Sequence, residues 1–151
     1  MSVLPKSVEK VIESFERLPG IGPKSAARMA YFFLRAPKER SVDLAKSLVE
    51  MKNSTMICSS CFNVSDSDPC AVCSDEDRDK TKICVVEEPL DVVALENSGV
   101  FDGVYFVIGG VISPADGIGP ENLRVKELKD KVKNFDGDKL EVIIATNPSL
   151  E

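Results

Sequence analysis

The chain has 151 residues, about the size of one ordinary domain, so any separate modules in it must be small and short of core. Hydrophobic residues make up 43% and charged residues 29%, a globular balance rather than a disordered one, and no apolar run approaches the roughly 20 residues needed to cross a bilayer. Histidine is absent, which removes the commonest general base and every mixed Cys/His zinc site. The net charge of −6 speaks against a polyanion partner only until its distribution is read: residues 1–52 carry ten Lys or Arg against six Asp or Glu, whereas residues 53–151 carry nine against nineteen. Met1-Ser2-Val3-Leu4-Pro5-Lys6 does not have the form of a signal peptide, and the expected location is the cytoplasm.

In chain order, Val8, Val11, Ile12 and Phe15 recur at three- and four-residue intervals on a segment that Ser7 is placed to cap, which predicts an amphipathic helix. Next comes Leu18-Pro19-Gly20-Ile21-Gly22-Pro23-Lys24-Ser25-Ala26-Ala27-Arg28-Met29-Ala30. Gly20 and Gly22 permit a sharp turn and close approach to a partner, and Pro23 presets the first position of a second helix that runs to Pro37. The free N–H groups at that helix start form an anion site, and Lys24 and Arg28, four residues apart, add charge on one side. An ordinary helix pair with a Gly-rich turn is the alternative. The order helix, hairpin, helix resembles the helix-hairpin-helix motif of DNA-binding proteins.

Cys58-Ser59-Ser60-Cys61 and Cys70-Ala71-Val72-Cys73 set two Cys-x2-Cys pairs around a polar spacer with almost nothing to bury. Four thiolates at about 2.3 Å close a tetrahedral structural zinc site, with no position left for water or substrate. Metal binding then supplies most of the ordering free energy of the loop. Disulfide pairing is the competing use of four cysteines, disfavoured in a reducing compartment. Cys84, in the apolar run Lys82-Ile83-Cys84-Val85-Val86-Glu87, reads as a small buried side chain, and residues 75–80 as a solvated charged linker.

From Lys82 onward strand and helix patterns alternate. Strands are expected at Ile83–Glu87, Val104–Ile108 and Leu140–Thr146, with helices at Leu90–Asn97 behind Pro89 and at Glu121–Lys133 behind Pro120. This order predicts βαβ units and a parallel sheet, with functional groups at the carboxyl ends of strands, where Glu87 and Asp116 fall. Gly-Ile-Gly-Pro occurs twice, at 20–23 and 117–120, but the second copy opens into Glu121, which repels phosphate.

Leu-Pro-Gly-Ile-Gly-Pro-Lys-Ser-Ala, the four cysteines, Val85-Val86-Glu87-Glu88-Pro89-Leu90-Asp91-Val92, Asp116-Gly117-Ile118-Gly119-Pro120-Glu121 and Ala145-Thr146-Asn147-Pro148 together resemble the RecR family of recombination mediators, in that family's order. The resemblance implies an α/β multi-module chain: a helix-hairpin-helix DNA-binding region at 1–53, a four-cysteine zinc finger and linker at 54–80, and a partial Toprim domain at 81–151. It further implies a non-catalytic mediator of recombinational DNA repair, nucleoid-associated and clamp-like, that acts with RecO and RecF to load recombinase on gapped single-stranded DNA. DNA contacts are expected at Lys24, Arg28, Gly20 and Gly22, and one structural zinc at Cys58, Cys61, Cys70 and Cys73. Glu87 and Asp116 are the candidate Toprim acidic site.

There are two departures from the family pattern. The strand around Tyr105-Phe106-Val107-Ile108-Gly109 lacks the family's usual His. The sequence also stops at Pro148-Ser149-Leu150-Glu151, where the family continues, so one ring interface is expected to be missing and a dimer is expected. The alternative is a Toprim enzyme performing metal-dependent phosphoryl transfer on DNA. Its Asp-x-Asp pair is replaced here by Asn147-Pro148. A nucleotide-binding module lacks its Gly-x4-Gly-Lys-Ser/Thr sequence.

Overall fold

The computed structural model describes residues 3–147, so the sequence readings at Met1-Ser2 and Pro148–Glu151 lie outside it. The chain forms two compact units that divide between Asn53 and Ser54.

The first unit is helical: α1 (Lys6–Glu16), α2 (Pro23–Arg35) and α3 (Lys38–Ser54). Ser7 does not cap α1. Pro5 holds the cap position, and its carbonyl takes the N–H groups of Val8 and Glu9, which draws Ser7 into the first turn. Pro23 does open α2, and an extended Ala36 before Pro37 ends it. Buried Ala26 and Ala30 give α2 a small-residue face against α1, and Phe15 stacks on Phe33 with centroids 6.1 Å apart. The sequence pattern does not predict the third helix. Val42 and Val49 point to one side of α3, Leu44, Leu48 and Met51 to the other, and every residue of it is exposed.

The second unit begins with a short antiparallel pair, β1 (Met56–Ile57) with β2 (Val64–Ser65), followed by the single turn α4 (Ala71–Ser74). Then β3 (Asp79–Val86), α5 (Pro89–Ser98), β4 (Gly103–Val107), α6 (Val125–Lys133) and β5 (Glu141–Ile144) build a parallel three-stranded sheet in the order β4-β3-β5. Alternation along β3 and β4 sends Cys84, Val86, Tyr105 and Val107 to one face with Val92 of α5, and Ile83, Val85, Val104 and Phe106 to the other with Leu128 of α6. Both faces are thus covered, as a parallel sheet requires. Cys84 is buried, as its apolar run predicts.

Two expectations fail here for physical reasons. The helix predicted at Glu121–Lys133 is broken: Pro120–Asn122 is a 3-10 turn, Leu123 is extended, and the α-helix starts at Val125. Extension buries Leu123 and lets the N–H of Arg124 reach the carbonyl of Ile108 at 3.0 Å, which a continuous helix could not do. The expected linker at 75–80 is also partly structural. Asp79 and Lys80 belong to β3, and Arg78 forms a bidentate ion pair with Glu96 while donating to the carbonyls of Phe101 and Gly103.

Tyr105 donates its hydroxyl to the same Glu96 at 2.6 Å, and burial pushes its phenol well above the ordinary range. The hydrogen bond from Arg78 holds the Glu96 carboxyl below its usual 4.5. Arg78 and Glu96 side chains are 18% and 30% exposed, so Glu96→Gln is expected to cost about 1–2 kcal/mol, less than a fully buried pair. A carboxyl lowered by folding gives its full contribution above its unfolded value and loses it as pH falls through the folded one. The gap between wild type and variant in urea denaturation is therefore expected to be constant above pH 4.5 and to close below it.

Candidate metal centre and nucleic-acid interface

The four cysteines converge. Their sulfurs all lie within 4.8 Å of one another, and Cys61 and Cys70 are 3.5 Å apart, against about 3.8 Å for the edge of a tetrahedron with 2.3 Å metal–sulfur bonds. Among the described residues no other group of three or more Cys, Asp or Glu converges in this way. Each pair sits on a turn that its own backbone closes. In the first, Phe62 donates to the carbonyl of Cys58, and Cys58 donates to that of Asn63, both at 2.9 Å. Asp68 ties that turn across the spacer by accepting from the N–H and hydroxyl of Ser59 at 2.8 and 2.9 Å, and the Ser59 N–H holds its carboxyl low. In the second, Cys70 precedes α4, and its N–H points at the Cys58 sulfur at 3.3 Å.

The protonation pattern of the thiols suits a dication. A hydrogen bond from the Cys61 thiol pushes Cys73 down to about 5. The same bond, with burial, pushes Cys61 far up, and burial also raises Cys70. A bound dication would favour the thiolate form of all four.

The finger is not free-standing. The carbonyl of Cys61 accepts from the N–H of Val107 in β4 at 2.8 Å, and Lys131 of α6 donates to the carbonyl and hydroxyl of Ser60 at 2.9 and 3.1 Å. Phe62 adopts a left-handed backbone (φ 62°), unusual for a side chain of its size, which sends its ring edge-on to Phe106 at 5.3 Å and beneath the Arg124 guanidinium at 5.0 Å. The Cys-x2-Cys spacing locates the metal site, but nothing in it signals Phe62, Arg124 and Lys131, whose roles depend on tertiary neighbours.

In the hairpin, Gly20 has φ 76°, a conformation that L side chains avoid, while Gly22 is extended with open space where a Cβ would lie. A side chain at Gly22 would meet nothing within the described residues. No side chain caps α2, so among the described residues no side chain takes the first-turn N–H groups of Lys24 and Ser25. Lys24 and Arg28 are exposed and, among the described residues, have no carboxylate within 4 Å.

The two candidate Toprim acids go to different partners. Glu87 accepts a short hydrogen bond from the backbone N–H of Asn147 and another from its side-chain amide at 3.1 Å, which ties the ends of β3 and β5 together. Asp116 accepts from Ser113 inside its own loop at 2.8 Å. The cleft beside Asn147, about 180 Å³, is lined by Ile108, Gly110, Ile112, Leu123 and Val125 among others, with no carboxylate.

A family model of the RecR helix-hairpin-helix matches residues 8–52, the model of the RecR four-cysteine zinc finger domain matches 55–75, and the Toprim domain model matches 81–151. Recombination protein RecR of Herpetosiphon aurantiacus is 49% identical over 150 residues, covering 99% of this chain and 72% of that protein. Recombination protein RecR of Pelotomaculum thermopropionicum is 48% identical over 151 residues, covering 100% of this chain and 74% of that protein. The zinc-finger match spans all four cysteines, so the cofactor is a structural zinc. The chain belongs to the RecR family.

Proposed function

We propose that the chain is a non-catalytic DNA-binding protein of recombinational repair, cytoplasmic and nucleoid-associated. In this reading a clamp-like oligomer works with RecO and RecF to load recombinase on gapped single-stranded DNA. The observation that carries it is the hairpin: uncapped amides at Lys24 and Ser25, open space at Gly22, and Lys24 and Arg28 without carboxylate partners among the described residues. All of these suit a phosphate backbone and none reads a base, so binding is largely independent of sequence. The modules divide as 1–53 for DNA, 54–80 for the finger and 81–151 for the Toprim sheet, and the chain pairs as a dimer.

Lys24→Ala with Arg28→Ala is expected to weaken duplex binding and to flatten the slope of log affinity against log salt by about 1.8, or 0.9 for each phosphate no longer neutralised. Fluorescence anisotropy across a salt series measures both, and an unchanged slope would refute the assignment.

Cys58, Cys61, Cys70 and Cys73 are the zinc ligands in this reading. Elemental analysis is expected to find one zinc per chain, absent in Cys61→Ser. Zinc retention is expected to fall as pH drops, because protons compete for the thiolates.

Glu87 is a structural tie rather than a metal ligand, since Asn147 occupies its carboxylate with two donors. Asn147→Asp places a second carboxylate there, and calorimetry is expected to detect Mn²⁺ binding in that variant and none at this position in the wild type. Manganese binding that Glu87→Gln removes from the wild type would restore the phosphoryl-transfer reading.

A further inference from the structure

Beyond the hairpin, the exposed face of α2 carries a second feature. Arg28, Tyr31, Phe32 and Arg35 recur at intervals of three and four, so they line one side of the helix, and Arg40 from the first turn of α3 returns to the same place. With Ala36 and Pro37 they enclose an open groove of about 500 Å³. Tyr31 and Phe32 are 39% and 50% exposed, and the Arg40 guanidinium lies over the Phe32 ring at 5.6 Å. No acidic residue lines the groove, and among the described residues none of its three arginines has a carboxylate within 4 Å. A smaller hollow of about 350 Å³, lined by Ser25, Arg28, Met29 and Phe32, joins it to the hairpin end of α2.

The geometry points to this groove as a single-strand site, in which Tyr31 and Phe32 stack unpaired bases while Arg35 and Arg40 hold the flanking phosphates. The assignment deepens the DNA-binding reading of the hairpin and rests on it. Exposed rings among guanidiniums without carboxylate partners offer a base face and a phosphate partner side by side, the pairing that single-strand binders use. A duplex cannot use the rings, because its base faces are stacked inside. From Ser25 to Arg35 the helix advances about 15 Å, the run of about four stacked nucleotides, so one strand held at the hairpin by its phosphates passes directly over the groove. Three arginines also disfavour a self-complementary apolar contact and select an anionic occupant.

The chain has no tryptophan, so Phe32→Trp gives a single fluorescent reporter in the groove. Oligo(dT) is expected to quench it, and a blunt duplex of the same length is not. Tyr31→Ala with Phe32→Ala is expected to lower oligo(dT) affinity by about 30-fold or more, from roughly 1–3 kcal/mol for each of two stacked bases, and to change duplex affinity less than twofold. Arg35→Ala with Arg40→Ala leaves both rings in place and is expected to flatten the single-strand salt slope by about 1.4.

Equal weakening on both DNAs, or oligo(dT) that binds without quenching the reporter, would overturn the groove and leave the hairpin standing. Failure of the hairpin reading is seen separately, as unchanged duplex binding in Lys24→Ala with Arg28→Ala. A drop in molar mass by light scattering, with DNA affinity intact in the Tyr31 and Phe32 variant, would make the surface a contact between copies of the chain and likewise overturn the proposal.

Discussion

The hydrogen bond from Val107 to the carbonyl of Cys61 joins a metal-dependent loop to a sheet that has its own core. Residues 58–73 bury little besides cysteine, so the segment cannot hold a shape by burial. The sheet, by contrast, is filled on both faces by branched and aromatic residues. Fixing Cys61 against β4 sets where the first pair of sulfurs lies, and Phe62 packed on Phe106 and Lys131 bonded to Ser60 hold that position. The left-handed backbone at Phe62 costs about 1–2 kcal/mol, which is tolerable because the ring gains packing against Phe106 and a cation above it.

The two Gly-Ile-Gly-Pro turns show how little of a motif lies in its letters. Both put proline at the first position of a helical turn after an extended glycine. At the first copy the helix continues for 13 residues, with Lys24 and Arg28 along it and no cap. At the second only a 3-10 turn follows, the Asn122 side chain accepts the Gly119 N–H at 2.8 Å, and the Glu121 carboxylate lies back over Gly119. The first turn has no side-chain cap, whereas in the second Asn122 closes back on Gly119. The same contrast holds between the units, because the basic excess of residues 1–52 accompanies the open turn and the acidic excess of residues 53–151 accompanies the closed one.

Features that depend on near neighbours in sequence are legible in it. Pro23 and the period of Ala26, Ala30 and Phe33 specify α2, the paired Cys-x2-Cys spacing brings four sulfurs together, and the apolar runs at 83–86 and 104–107 are central to the sheet's core. Features set by distant partners are not. Arg78 is one more charge in a polar run until the fold brings Glu96 and the carbonyls of Phe101 and Gly103 to it. Leu123 fits a helical period, yet a place in the core outweighs the hydrogen bonds of one more turn. The position of Glu87 at a strand end is visible in the sequence, whereas its two bonds to Asn147, sixty residues away, are not. α3 escapes notice because its apolar residues fall on opposite sides and define no single stripe.

β4 lies at one margin of the three-stranded sheet, with β3 on its inner side. All five of its residues are buried. A strand of that kind with a bare outer margin is a template on which another chain can add, and natural sheets seldom leave one open. Here Cys61 takes the N–H of Val107, and α4 lies along the same strand. The loop that carries the four cysteines, rather than a further strand, therefore takes the outward N–H of Val107 and covers part of that margin.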